Sequence, residues 1–204
     1  MHSCLVGSEM CIRDRLKTTK IKLAETEAAA KLTGVFEKFV PKEFLSRIAP
    51  EGLENLLFGH AESDFVTILF SDIRAFTEIS EHLSPQELMD FLNGYLREMN
   101  PPIMEHQGFV DKFIGDAIMA VFDQPDKTDA DEAENALDAA LGMQKVLGQL
   151  NQKRKKLKLD PVSIGIGIHS GYVIIGTVGF EERMDSTVLG DAVNLASRLE
   201  GLTK

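Results

Sequence analysis

The hydrophobic pattern of the chain centres on a compact apolar block that is followed at once by an acid. The block FVTILF, residues 65–70, consists almost entirely of β-branched and aromatic residues, and Asp72 stands two positions after it. This composition is typical of a strand buried on both faces, and it predicts a strand over residues 64–71. A carboxylate beside such a strand is costly unless it is solvated, capped or bound to a cation. Asp72 therefore needs a partner.

Periodic apolar residues predict two helices after this strand. Ser84-Pro85 is typical of an N-cap followed by proline at the first helical position, and apolar residues recur at helical spacing over 86–99. Pro101-Pro102 is expected to kink or end this helix, with at most one more turn over 103–106. A second helix is predicted over 129–150, where alanine and leucine residues share one side.

The remaining apolar runs predict strands and a last helix. Residues 108–122 form two runs around Gly115-Asp116, which indicates a hairpin. Runs over 162–168 and 172–178 predict two strands on either side of residues 169–171. A last helix is expected to start near Asp191, with that residue as its N-cap. Four glycines in this region are interpreted as bulges or close approaches: Gly165, Gly167, Gly176 and Gly179.

The predicted order is strand, helix, strand, strand, helix, strand, strand, helix. Its first six elements match a ferredoxin-like βαββαβ core, so the expected fold class is α+β. We interpret residues 16–60 as a helical linker region and 61–204 as the main domain. The apolar spacing over 16–39 fits either a short parallel coiled coil or an amphipathic helix packed on its own domain.

The first 15 residues differ from the rest of the chain. They hold both cysteines, Cys4 and Cys11, show no sustained periodicity and resemble translated vector or adaptor sequence. We therefore interpret residues 1–15 as a non-native segment and leave them out of the fold. The main domain then contains no cysteine, which excludes disulfides and cysteine-based metal sites within it.

Composition and charge narrow the class of protein. A chain of 204 residues with 44% hydrophobic content can form one domain with a sizeable core. A net charge of -10 argues against a broad nucleic-acid surface, which is normally basic. The basic run over 153–158 is interpreted as a solvated connection. No apolar run approaches the ~18 residues of a membrane span, and the N-terminus lacks the apolar region of a signal peptide.

Two aspartates are candidate metal ligands. In a βαββ arrangement the first strand lies beside the hairpin, so Asp72 and Asp116 can converge at one edge of the sheet. Two carboxylates at such a point suit Mg²⁺ or Mn²⁺, which prefer oxygen ligands and share phosphate oxygens with a substrate. Taken alone, Asp116 is also explained as a turn residue and Asp72 as a cap.

Other polar groups are candidates for substrate binding. The turn over residues 74–77 could direct backbone N–H groups, including those of Phe76 and Thr77, towards a polyphosphate held by the metals. Asn194 and Arg198 are four residues apart on the last helix and therefore share a face. An amide and a guanidinium there could orient a sugar and stabilise charge on a phosphate. Spacing alone would equally make them a surface pair.

Four segments of the chain resemble, in order, the catalytic domain of class III adenylate and guanylate cyclases. They are FSDIRAFT (70–77), KFIGDAIMAVF (112–122), GIGIHSGYVIIGTVG (165–179) and TVLGDAVNLASRLEGLTK (187–204). The resemblance runs from about residue 65 to the C-terminus, roughly two thirds of the chain. It implies a head-to-tail homodimer with active sites at the subunit interface. It also implies conversion of a nucleoside triphosphate into a 3′,5′-cyclic monophosphate and pyrophosphate, in signal transduction.

The resemblance also assigns roles by matching position. Asp72, Asp116 and the Ile73 carbonyl would hold two Mg²⁺ or Mn²⁺ ions in each active site. One ion would favour ionisation of the ribose 3′-hydroxyl, and the other would bind the phosphates. From the opposite subunit, Asn194 would orient the ribose and Arg198 would stabilise the transition state at the α-phosphorus.

Lys112 and Thr187 match the pair of residues that reads the purine base in this family. Adenine presents an acceptor at N1 and a donor at its exocyclic amine, which suit a lysine donor and a threonine acceptor. Guanine has the reverse polarity and would leave a buried donor facing the ammonium. We therefore expect an adenylate cyclase acting on ATP. The alternatives are a guanylate cyclase, or a non-catalytic cyclase-like module that dimerises or binds nucleotide.

Rivals from other classes lack their own sequence signals. A diguanylate cyclase or polymerase palm would share the βαββ core, but no GGDEF-type turn stands at the hairpin, and no GxxxxGK[ST] motif indicates a P-loop NTPase. The family pattern continues beyond the last helix with further strands, one of which bears a lysine for the triphosphate. We therefore expect a C-terminally truncated domain with little activity. We also expect it to be cytoplasmic, with a sensor domain upstream and a membrane anchor, if any, in that upstream sequence.

Overall fold

The computed structural model describes residues 31, 34, 40–48, 59, 61–180 and 182–203. The segment 1–15 and most of the linker region 16–60 lie outside these residues, although Lys31 and Gly34 are helical. The chain divides into two compact units, Met1–Lys42 and Glu43–Lys204. All of the strands, and the helices that pack against them, belong to the second unit.

The described helices and strands form a single antiparallel sheet with helices against it. Five strands take the order β2-β3-β1-β4-β5 in this sheet. The first four strands and the two long helices between them form the ferredoxin-like arrangement, with β5 added at one edge, which confirms the predicted α+β class. In the described part of the chain, no helix has the length and apolar character needed to cross a bilayer. In chain order the elements are α1 (Lys42–Ile48), β1 (Ala61–Ile73), α2 (Phe76–Glu81), α3 (Pro85–Glu105), β2 (Gly108–Ile114), β3 (Ala117–Phe122), α4 (Asp129–Lys156), β4 (Ile164–Phe180), β5 (Arg183–Leu189) and α5 (Asp191–Gly201).

Both faces of the sheet are covered, which explains the continuous apolar block in β1. On one face, Leu69 and Ile73 pack with α3 and α4 in the main core, to which Met99 and Met143 contribute. On the other face, α5 packs against β4 and β1. Every residue over 66–71 is consequently buried, as expected for a strand between two helical layers.

Strand β4 differs from the sequence-based prediction, because residues 162–178 do not form two strands. β4 is continuous and pairs with β1 without a break, from Ala61↔Gly176 to Ile73↔Ile164. The interpretation of Gly167 as a bulge or close approach is confirmed as a close approach to α5, since a Cβ there would lie 2.2 Å from the backbone nitrogen of Glu200. The remaining strand is β5, a segment in which no strand is predicted from the sequence.

One helix boundary agrees with its prediction and another differs. α3 continues through Pro101 and Pro102 to Glu105, which includes the additional turn expected after the two prolines. Pro102 is buried against α4, where a Cβ added at Gly142 would lie 3.1 Å from Pro102 Cβ. α4 extends to Lys156, and the basic run predicted to be a connection forms mostly its last turn. Cations are favourable there because they oppose the negative end of the helix dipole.

Helix N-termini show one prediction confirmed and one wrong. Ser84 is the N-cap of α3 and forms a capping box with Glu87, with Pro85 as the first helical residue. The N-cap of α5, in contrast, is Gly190, and Asp191 is the first helical residue without a side-chain capping bond. A Cβ at Gly190 would lie 3.0 Å from the carbonyl oxygen of Tyr172, and its φ of 156° further favours glycine.

Candidate active site

The first part of the site is an acidic pocket where β1 ends and the β2–β3 hairpin turns. Ser71 pairs with Ile118, so the end of β1 lies beside the turn that carries Asp116. The backbone N–H of Ile73 donates to Asp116 Oδ2 at 3.1 Å. The structure therefore brings Asp72, Ile73 and Asp116 together, as predicted. They line an open pocket of about 580 Å³ with residues 74–77.

The electrostatics of the pocket favour a cation. Burial, together with the adjacent Asp72 carboxylate, raises the pKa of Asp116 to about 6. Two crowded carboxylates offer the oxygen donors that Mg²⁺ and Mn²⁺ prefer, so the donor set fits these ions. No cluster of three or more His, Cys, Asp or Glu residues that could hold a metal occurs in the described ranges. The other ligands would therefore be the Ile73 carbonyl, water or substrate phosphates.

The turn after β1 is the start of a short helix, which the sequence-based prediction did not include. Ala75 precedes α2 in the left-handed conformation, with φ of 55°. Phe76 and Thr77 are the first two residues of α2, so their N–H groups have no acceptor within the helix. Both residues line the acidic pocket, where these donors are available to an anion.

The side chain of Arg74 contacts the end of α5, an interaction that sequence reasoning missed. Its guanidinium forms an ion pair with Glu200 at 2.9 Å and donates to the Glu200 carbonyl oxygen at 3.0 Å and to Thr203 Oγ1. Its backbone N–H donates to the Ser163 carbonyl oxygen at 2.8 Å. The side chains of Arg74 and Glu200 are only 18% and 11% exposed. The loop after β1 is thus fastened to the C-terminal end of α5.

Lys112 and Thr187 are the second group of predicted site residues, and we call them the purine-binding pair. Lys112 Nζ donates to Thr187 Oγ1 at 3.2 Å and to the Ser186 carbonyl oxygen at 3.1 Å. These residues lie on β2 and β5, at opposite edges of the sheet. Because adjacent strands are about 4.8 Å apart, the edges can meet only if the sheet coils strongly. The structure brings together the two residues that the sequence proposed for reading a purine.

Asn194 and Arg198 are the third group of predicted site residues. Both are exposed on α5, and neither is among the residues that line the acidic pocket. The buried side of α5 instead carries Ala192, Ala196 and Glu200. A single chain thus presents an amide and a guanidinium to its surroundings, outside its own acidic pocket.

Known proteins resemble this chain in sequence and in fold. Residues 58–204 match the family model described as the adenylate and guanylate cyclase catalytic domain. The chain belongs to this family. Its fold and motif spacing confirm the resemblance found in the sequence, and we refer to residues 58–204 as the cyclase domain.

Three relatives show how close this likeness is. A protein of Anabaena cylindrica named adenylate cyclase is 53% identical over 173 residues, which is 83% of this chain and 33% of that protein. The chain thus spans about a third of that relative's length. The solved structure of the adenylyl cyclase CyaB from P. aeruginosa is 39% identical with a TM-score of 0.65, and 70% of this chain and 74% of that one are covered. The solved guanylyl cyclase Cya2 is also 39% identical with a TM-score of 0.63, and the coverage is 70% and 72%.

Proposed function

We propose that the cyclase domain is an adenylate cyclase that converts ATP into 3′,5′-cyclic AMP and pyrophosphate in signal transduction. The observation that carries this proposal is the hydrogen bond between Lys112 and Thr187. Likeness to these two solved structures does not choose the base, because the adenylyl and the guanylyl cyclase are equally similar at 39% identity. Base selection therefore depends on the donors and acceptors of this pair.

The purine-binding pair has one free donor and one free acceptor of the polarity that adenine needs. The Lys112 ammonium has three protons, and two are used on Ser186 and Thr187. The third can be donated to N1 of adenine. Thr187 Oγ1 accepts from Lys112 and keeps a second lone pair for the exocyclic amine. Guanine would place its N1–H against the ammonium, and such an unpaired donor is strongly disfavoured.

The acidic pocket supplies the phosphate half of the site. Members of this family use divalent metal ions, and we propose that Asp72, Asp116 and the Ile73 carbonyl hold two Mg²⁺ or Mn²⁺ ions. Such ions would increase the acidity of the ribose 3′-hydroxyl and neutralise phosphate charge. The Ile73 N–H holds the Asp116 carboxylate in place. The N–H groups of Phe76 and Thr77 would bind the phosphate oxygens at the start of α2.

A second copy of the chain would complete each site. Asn194 and Arg198 are exposed and are not part of the pocket in their own chain. In a head-to-tail homodimer they would enter the partner's acidic pocket, where Asn194 orients the ribose and Arg198 stabilises charge at the α-phosphorus. Strands β4 and β5 also expose large apolar side chains that a partner could cover: Tyr172, Ile174, Phe180, Met184 and Leu189.

Cyclic nucleotide production tests this proposal directly. Purified chain at several concentrations is incubated with ATP or GTP and with Mg²⁺ or Mn²⁺, alongside Asp72→Ala. We expect cyclic AMP in preference to cyclic GMP, with specific activity that rises with protein concentration because the sites form between chains. Preference for GTP would instead support a guanylate cyclase. Nucleotide binding without turnover would support a non-catalytic module.

Three features of the proposal concern sequence beyond the described residues. An upstream sensor and a cytoplasmic location remain predictions. The expectation of low activity also remains a prediction, and robust turnover by the 204-residue chain would contradict it.

A further inference from the structure

Asp111 is a buried acid that the proposed reaction does not use. Its side chain is 0% exposed. Neither of its carboxylate oxygens accepts a hydrogen bond from any described residue. A buried carboxylate without hydrogen bonds is normally unfavourable for stability, so its presence requires an explanation.

Asp111 lies beside the purine-binding pair. The pairing of β2 with β3 is irregular between Val110 and Lys112, so Asp111 lies at a bulge. Such bulges commonly redirect a side chain. Asp111 Oδ2 lies 3.6 Å from Lys112 Nζ, which is an ion pair but longer than a hydrogen bond. The other nearby acid is Asp185 on β5.

We propose that Asp111 is a positioning residue for purine selection, whose buried carboxylate fixes the orientation of the Lys112 ammonium beside Thr187 and keeps one ammonium proton directed at the base. This inference rests on the proposed function of Lys112. The ammonium has a fixed neighbour on each side, Asp111 on β2 and the Ser186–Thr187 segment on β5. Without the acid, Lys112 would keep its two contacts to β5 but lose the charge that attracts it towards β2.

The charge balance at Asp111 supports this role. The pKa of the Asp111 carboxyl is raised to about 6. Burial is the main cause, the Lys112 ammonium opposes it, and the charge of Asp185 adds to it. Since the charged form is disfavoured in the folded state, removing the Asp111 charge should relieve a cost in that state at neutral pH. A residue that is unfavourable for folding but holds a binding group is typical of a functional site.

Two double-mutant cycles test the proposal, with Asp111→Asn, Lys112→Met and the double variant. The first cycle measures KM and kcat with ATP and with GTP. We expect Asp111→Asn to raise the KM for ATP about tenfold and to lower the preference for ATP over GTP, with kcat changed less than about twofold. In the Lys112→Met background the same change should have little effect, because the group that Asp111 positions is absent.

The second cycle measures thermal unfolding at pH 7.5 and does not depend on activity. Asp111→Asn should not lower Tm, and it should raise Tm more in the Lys112→Met background, where the acid has lost its counter-ion. Asp138→Asn is the control, since this acid on α4 is exposed and is not among the charged groups that act on Asp111, and its Tm and KM should stay close to those of the unchanged chain.

The outcomes separate this inference from the proposed function. An unchanged KM for ATP in Asp111→Asn, or effects of Asp111→Asn and Lys112→Met that simply add in both cycles, would overturn the positioning role. A lower Tm, together with a higher KM and a lower kcat changed by similar factors, would show that Asp111 is merely structural. If neither nucleotide is turned over, the proposed cyclase activity fails, and the thermal cycle still decides whether Asp111 acts on Lys112.

Discussion

Two halves of the proposed site, the acidic pocket and the pair of Asn194 and Arg198, differ in how far a single chain completes them. The acidic pocket is formed within one chain, and the Ile73 backbone N–H already holds the Asp116 carboxylate. Asn194 and Arg198, in contrast, project from α5 without forming part of that pocket. One half concentrates negative charge and needs cations; the other presents donors and needs a substrate brought by a partner. The difference suggests that each chain contributes to two sites and completes neither.

The most demanding test of this comparison mixes two inactive variants. Asp72→Ala and Arg198→Ala should each lose roughly 10³-fold or more in kcat, since one removes a metal ligand and the other a cation at the reacting phosphate. In a head-to-tail heterodimer, one site then has both intact residues. An equal mixture should recover about a quarter of the normal activity, because half the dimers have one working site of two. Cyclic AMP production by the mixture measures this.

The control for this experiment changes the same half-site twice. A mixture of Asp72→Ala with Asp116→Ala should stay inactive, because every possible site lacks a carboxylate. No recovery in the Asp72→Ala and Arg198→Ala mixture, under conditions where the dimer forms, would show that the two halves act within one chain.

A second prediction concerns the hydrogen-bonding polarity of the purine-binding pair. Lys112→Glu replaces the donor to N1 with an acceptor, which suits guanine and repels the adenine acceptor. The ratio of kcat/KM for ATP to that for GTP should fall by about 100-fold, as expected for reversing a buried hydrogen bond. Competition between the two nucleotides in one assay measures this ratio directly. An unchanged ratio would remove Lys112 from base selection and leave the acidic pocket unaffected.

A third prediction uses the opposite end of β1 and β3 as a region that should affect stability but not chemistry. Glu132 in α4 is buried, and its Oε1 accepts from the Gln124 N–H at 2.9 Å. Burial, with the charges of Asp123, Asp129 and Asp64, raises its pKa from 4.5 to about 7. The folded chain thus binds a proton more tightly than the unfolded chain, so this group lowers the free energy of unfolding as pH rises from 4.5 to 7.

Glu132→Gln should remove this dependence. At pH 8 the variant should be more stable by about 1–3 kcal/mol, and the difference should shrink as the pH falls towards 5. Urea unfolding at several pH values measures it. kcat should be unchanged at all of them, and a loss of activity in Glu132→Gln would contradict the separation of the two ends of the sheet.

The smallest expected effect is at the rim of the acidic pocket. Ala75 has φ of 55°, a left-handed conformation that costs an alanine about 1 kcal/mol. Ala75→Gly should therefore raise the free energy of unfolding by about 0.5 kcal/mol, after the greater freedom of glycine in the unfolded chain is subtracted. Ala133→Gly in α4 is the matched control and should have the opposite sign. Equal destabilisation by both changes would contradict the strained conformation.

Sequence patterns predicted the parts of the fold that depend on neighbouring residues. The Gly115-Asp116 turn, the Ser84 N-cap and the apolar block in β1 are local signals, and the structure confirms each of them. The meeting of Asp72 with Asp116 also followed, because a βαββ unit places its first strand beside the hairpin. The chemical roles of these residues stay predictions until they are measured.

The features that were missed depend on contacts between distant segments. The break predicted at residues 169–171 was wrong, because β4 runs through it in register with β1, although the close approach predicted at Gly167 is confirmed by the packing of α5. The contact of Lys112 with Thr187 was expected from family resemblance alone, since it requires a coiled sheet that brings opposite edges together. The ion pair of Arg74 has no local signal, because its partner Glu200 is 126 residues away.

The ion pair between Arg74 and Glu200 has a consequence for timing in the proposed dimer. It joins the phosphate-side loop of one site to the helix that supplies Arg198 to the other. A movement of this loop as ATP binds would therefore shift the guanidinium delivered to the neighbouring site. The two sites would not close independently, and communication between them would be carried by the interior of each subunit, even if the contacts between subunits did not change.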